Sequence, residues 1–139
     1  MIDLRAVVFI DSMGVKKMEN LYFGIAVSFL FIHELDAIKA REWKLFIFLK
    51  DMSEDKAYSV WLALHFPLFL FPMMIYSKFF SPVYQYRIQF GFDIFLIAHL
   101  FLHILFRKNK SYYFTLIQSN IYILLTALFA IADIVSLKG

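Results

Sequence analysis

The sequence predicts an all-α fold, a bundle of four transmembrane helices with a short interfacial helix after helix one. Three observations carry this. The chain is 62% hydrophobic and 18% charged over 139 residues, with a mean hydropathy of +0.70. Soluble domains are nearer about 45–50% apolar, and a chain this short has too much surface to hide 18 Phe in a water-soluble fold. The apolar residues also gather into four runs, at 21–40, 57–76, 88–106 and 112–135. Each is close to the roughly 20 residues with which a helix crosses a bilayer core. None alternates apolar with polar residues, as a transmembrane strand of about 10 residues would.

Residues 1–17 read differently. Their one apolar patch, Ala6 to Ile10, is cut off by Asp11 and is shorter than the roughly 7–15 residues of a signal-peptide core. The segment is expected to be a disordered N-terminal extension, with Met18 a candidate start and residues 18–139 a single membrane domain. After helix one, Leu45 to Leu49 is flanked by Arg41-Glu42-Trp43-Lys44 and Lys50-Asp51. That pattern suits a short helix lying in the interface, with Trp43 as its anchor. Ser53 followed by Glu54 and Asp55 reads as the N-cap and acidic first turn of helix two. Pro67 and Pro72 each remove a backbone hydrogen bond within helix two and should bend it. Ser81-Pro82 reads as N-cap and first helical residue of helix three, and Asn109-Lys110-Ser111 as the turn into helix four. On helix four, Thr115, Ser119, Tyr122, Thr126 and Asp133 form a polar stripe that marks the inward face. Gly24 and Ser28 make a small-residue pair on helix one, suited to close packing on a neighbouring helix or on a second copy in a homo-oligomer.

Composition excludes several function classes. The absence of Cys removes disulfides, thiolate metal sites, iron–sulfur clusters and Cys nucleophiles. The net charge of +3 comes from Lys and Arg at the ends of apolar runs, where they meet lipid headgroups. No nucleic-acid-binding motif accompanies them, so the expected partner is the lipid bilayer and not a nucleic acid. There is no Gly-rich phosphate loop and no nucleophile elbow.

The informative residues are the polar ones inside the runs, since an ionisable group at a helix centre costs about 2.5–3.5 kcal/mol. At about 1.5 Å per residue, His33 lies roughly 9 Å, His65 and His99 roughly 12 Å, and His103 roughly 6 Å below one membrane face. All four histidines therefore fall in one layer, supplied by three helices. His99 and His103, four apart, stack on one face of helix three. His33 and Asp36 share a face of helix one, while Glu34 points about 100° away, toward Arg41. Asp93 and Asp133 sit at the opposite end of the membrane.

Three chemistries suit that layer. His33, His65, His99 and His103, with Asp36, form a candidate metal site for zinc or non-haem iron. His65 and His99 could instead hold haem b from facing helices. Or the groups only hydrogen-bond one another and fix the packing. His33-Glu34-Leu35-Asp36-Ala37 lacks the second His of a zinc-protease motif, and the Glu-x-x-His pairs of di-iron bundles are missing.

That same string, followed by Glu42-Trp43, resembles the signature of an uncharacterised bacterial family of small four-helix integral membrane proteins. Leu64-His65-Phe66-Pro67-Leu68 and the stretch from Asp93 through His99-x-x-x-His103-x-x-Phe106-Arg107 are similar to it as well. The resemblance covers about residues 18–135 and implies a location in the cell inner membrane, but no activity. The sequence thus reads as a small multi-pass membrane protein with an intramembrane His/carboxylate cluster, metal-binding and open to enzymatic use. The alternative is a non-enzymatic structural or accessory subunit.

Lys and Arg also set an orientation. About eight lie in the loops after helices one and three, against about six on the other side, which places those loops in the cytoplasm and both termini outside. A C-terminal reporter that works only in the cytoplasm should stay silent, and strong activity would show the inverse topology.

Overall fold

The structure, a computed structural model, describes residues 4–110, 112 and 117–137, with side chains described from Leu21 onward. Among these residues it is all-helical: α1 (Leu4–Ala40), a 3-10 helix (Glu42–Leu45), α2 (Glu54–Tyr76), α3 (Pro82–Phe106) and α4 (Ile117–Ser136). All four α-helices are long and apolar enough to cross a membrane, with Leu21–Ala40 as the spanning part of α1. The boundary read after residue 17 falls inside α1. Ser53 and Ser81 occupy the N-cap positions of α2 and α3, although neither hydroxyl makes a capping bond. The end of α2 is closed by backbone hydrogen bonds, with Ser77 Oγ and Gln85 Nε2 also donating to the Met74 and Ile75 carbonyls. Lys78 adopts a left-handed conformation (φ 53°), its N–H donates to the Ile75 carbonyl and that of Phe79 to Met74, both at 3.2 Å. These are the two bonds of a Schellman motif.

Packing is uneven. The α1–α4 and α3–α4 interfaces are extensive, whereas α2 meets its neighbours at few points. The central core joins Phe23, Ala26, Val27 and Leu30 of α1 to Phe92 and Leu96 of α3, with Ile75 and Ala130 from α2 and α4. Phe66 and Leu105 are about 70% exposed, among many large apolar side chains that face outward, a surface suited to a bilayer. Ser119, Thr126 and Asp133 of the polar stripe are buried as expected. Tyr122 is half-buried and stacks on Phe29, and Thr115 lies outside the described residues. At the far end, Gln89 donates to Asp133 at 2.7 Å and ties α3 to α4.

The segment after α1 departs from the expected interfacial helix. Its 3-10 turn covers Glu42–Leu45 instead of residues 45–49, and Glu42, Trp43 and Leu45 are buried. Trp43 is therefore no interfacial anchor. It packs on Tyr58 and Trp61, with ring centroids 5.2 and 5.7 Å away, in a second cluster with Ala37, Leu49 and Ala57. The physical reason is that Trp61, one turn beyond Tyr58 on α2, offers an aromatic wall that buries the indole more fully than headgroups could.

Gly24 sits under Tyr76 of α2, where an added Cβ would collide with the phenol hydroxyl. Gly24 thus serves a helix contact within the chain, while Ser28 is exposed and turns its hydroxyl back to the Gly24 carbonyl at 2.8 Å. Gly24→Ala should cost about 1–3 kcal/mol through overpacking, read as a lower thermal midpoint. In a Tyr76→Phe background that penalty should shrink. An equal penalty in both backgrounds would contradict this contact.

Candidate metal centre

The site is built where α1 ends. Arg41, just past the helix, is left-handed (φ 53°, ψ 49°), a conformation that costs an L-residue about 1–2 kcal/mol. The turn carries Glu42 back beneath the bundle, held by a hydrogen bond from Lys44 N–H to the Arg41 carbonyl at 3.0 Å. Outside, Arg41 and Lys44 clamp Glu54 at the start of α2, at 3.5 and 2.8 Å.

Above Glu42, α1 contributes His33 and α3 contributes His99 and His103, all buried. The Nε2 atoms of His33 and His103 face one another at 3.2 Å. One ring nitrogen from each of the three histidines lies within 4.8 Å of the others, so the group can hold a metal ion. Two nitrogens bound to one tetrahedral zinc at 2.0–2.1 Å would be separated by about 3.3 Å, close to the His33–His103 spacing. His103 Nδ1 reaches the Tyr112 hydroxyl at 3.4 Å, a contact of the kind that fixes which nitrogen of an imidazole is left to bind.

Two carboxylates border this group. Glu42 Oε1 is 3.5 Å from His103 Nε2, and Glu34 Oε1 is 3.8 Å from His99 Nε2. His99 Nε2 is buried without a hydrogen-bond partner. Burial by itself pushes the Glu42 carboxyl up, but the His103 hydrogen bond and the neighbouring imidazoles outweigh it and hold it below its ordinary value.

The remaining expected ligands are engaged elsewhere. His65 contacts the Trp61 carbonyl through Nδ1 at 2.7 Å and Glu34 Oε2 through Nε2 at 2.8 Å. A carbonyl only accepts, so Nδ1 carries hydrogen, and His65 and Glu34 share one further proton across the second contact. With both nitrogens occupied, His65 is not poised with His99 to hold haem. Asp36 accepts a hydrogen bond from Ser119 of α4 and is not among the groups that converge with the three histidines.

Glu34 corrects the sequence reading. It does not reach Arg41, which pairs with Glu54. It is buried between His65 and His99, because α2 brings an imidazole to that side of α1 and the turn at Arg41 takes its guanidinium off the helix line. Glu42 is not among the site residues that the sequence predicts; it lies outside the apolar runs, and its place beside Trp43 in the signature string is its signal.

The model of a family of unknown function, DUF6713, matches residues 19–139. The chain belongs to this family. The DUF6713 match spans all four helices' membrane segments and every residue of the cluster. No curated protein and no solved structure matches the chain.

Proposed function

We propose that this DUF6713 protein is an inner-membrane protein that binds one transition-metal ion, zinc or non-haem iron, within the bundle, with residues 1–17 as an extension of the membrane domain. His33, His99 and His103 are its nitrogen ligands, and Glu42 and Glu34 supply carboxylate from either side. The observation that carries this reading is the convergence of three buried imidazoles from two helices, two of them 3.2 Å apart at Nε2. Three protein nitrogens are the ligand number of catalytic zinc sites, in which the fourth position is kept for water or substrate; here the two carboxylates border that position. Charge supports it as well. A divalent ion facing two carboxylates is close to neutral, which suits a low-dielectric interior. Asp36 and His65 act one step out: Asp36 ties α1 to α4, and His65 orients Glu34.

A second reading has its own support. The His65–Glu34, Ser119–Asp36 and Gln89–Asp133 bonds each join two helices, as an accessory subunit with purely structural polar residues would require. Elemental analysis and an absorption spectrum of the purified protein separate the two. We expect roughly one equivalent of zinc or iron per chain, lost in His99→Ala and weakened about 10–100-fold in Tyr112→Phe, whose hydroxyl contacts His103. A folded wild-type protein with no metal above trace would support the accessory reading. A haem absorption band would overturn both ligand assignments.

A further inference from the structure

Between α2 and α3 the bundle is not closed. A cleft of about 550 Å³ runs there, within the roughly 300–1,000 Å³ range of small-molecule sites. Its composition is graded. The polar residues lining it are Glu34, Glu42 and His99 of the candidate metal centre and His65, which holds Glu34, and the rest are apolar down to Phe71 and Ile88. His99 presents a buried Nε2 with no hydrogen-bond partner beside this space. The cleft is therefore amphipathic along its length, with a hydrogen-bonding end and a hydrocarbon end.

Its dimensions point to an occupant. The lining runs from Trp61 to Phe71 on α2 and from Ile88 to Leu102 on α3, about 15 and 21 Å at 1.5 Å per residue. Counted from Arg107 at the same rise, His99 lies roughly 12 Å and Ile88 roughly 28 Å below that face, so the cleft runs from the Glu42 side past the midplane of the roughly 30 Å core. The cleft opens sideways, past Leu64, Phe71 and Leu102, which are 52%, 44% and 41% exposed. Pro67 lies on its α2 wall, where the missing backbone hydrogen bond favours a bend. Gly91 lies on the α3 wall, and a Cβ there would meet nothing within 4 Å. A side chain at this position would project into open space, so the small residue keeps the cleft wide.

We propose that the cleft takes one acyl chain of a bilayer phospholipid, entering laterally from the leaflet on the Arg41 side, with its ester end beside Glu42 and Phe46 and its hydrocarbon passing Glu34 and His99. The chain's methyl end lies toward Phe71 and Ile88. This places a lipid chain as the substrate class of the metal centre, a role that rests on the metal reading above, whereas occupancy of the cleft does not.

The test is photolabelling in vesicles of phosphatidylethanolamine and phosphatidylglycerol doped with a phosphatidylcholine bearing a diazirine on one chain. Labelled residues are mapped by peptide mass spectrometry. Lipid-facing Ile104 and Leu105 should be labelled in any case. Labels at Phe92 and His99, both under 10% exposed, require a chain inside the cleft. Gly91→Trp should fill the space and cut those inner labels about tenfold, leaving the outer ones unchanged, a loss equal to about 1.4 kcal/mol of binding. Absence of inner labels in the wild type, or inner labels indifferent to Gly91→Trp, would overturn the proposal. So would inner labelling obtained only with a diazirine-bearing free fatty acid, which would make the occupant a free acid. Metal content measured on the same samples separates the readings. Stoichiometric metal without inner labels sinks the lipid chain alone, and inner labels without metal sink the metal centre alone.

Discussion

The structure depends on one constraint: an ionisable side chain in an apolar bundle needs a partner within reach, because lipid provides none. His33, Glu34, Glu42, His99 and His103 are all buried at one end, and no two neighbours along the chain satisfy each other there. Their partners come from other helices. That requirement draws α1, α3 and the 3-10 turn together and gives α2 a buried polar anchor, the His65–Glu34 contact. It also explains why a left-handed Arg41 is retained. The strain of about 1–2 kcal/mol is small beside leaving Glu42 outside and His103 without its carboxylate.

The same constraint separates the two halves of the molecule. Toward the Gly24 end, Phe23, Leu30 and Leu96 are almost fully buried, with Asp93 and the Gln89–Asp133 pair buried alongside them. Toward the Arg41 end, the polar cluster lies beside the Trp43–Trp61 packing, and α2 stands away from α3. A peripheral α2 is consistent with its two internal prolines and with a helix held by a few specific contacts instead of a continuous interface. The cleft that results lies beside the most polar point of the interior, which is how binding sites in bundles are generally arranged: apolar walls with a few convergent polar groups.

Much of this was legible in the sequence. Four spans followed from run length, and the single histidine layer from counting residues inward from the charged ends, a count that needs only helical rise. Angular arithmetic served for His99 and His103, which share one straight helix. It failed for Glu34. The 100° offset from His33 was right, but direction alone does not say which helix lies there, and α2 does. Glu42 was invisible for a related reason. Its burial depends on one backbone reversal at Arg41, a residue with no intrinsic preference for φ above zero. Asp36 shares the His33 face as expected, yet Ser119 lies nearer to it than the histidines do, a matter of how α4 docks and not of sequence spacing.

The central claim is that the three imidazoles share one ion. X-ray absorption on the zinc-loaded protein in membranes tests it most directly. The account predicts about three nitrogen neighbours at 2.0–2.1 Å with the multiple scattering of imidazole rings, and no bound zinc in His99→Ala. A shell of oxygen alone, without imidazole scattering, would contradict it.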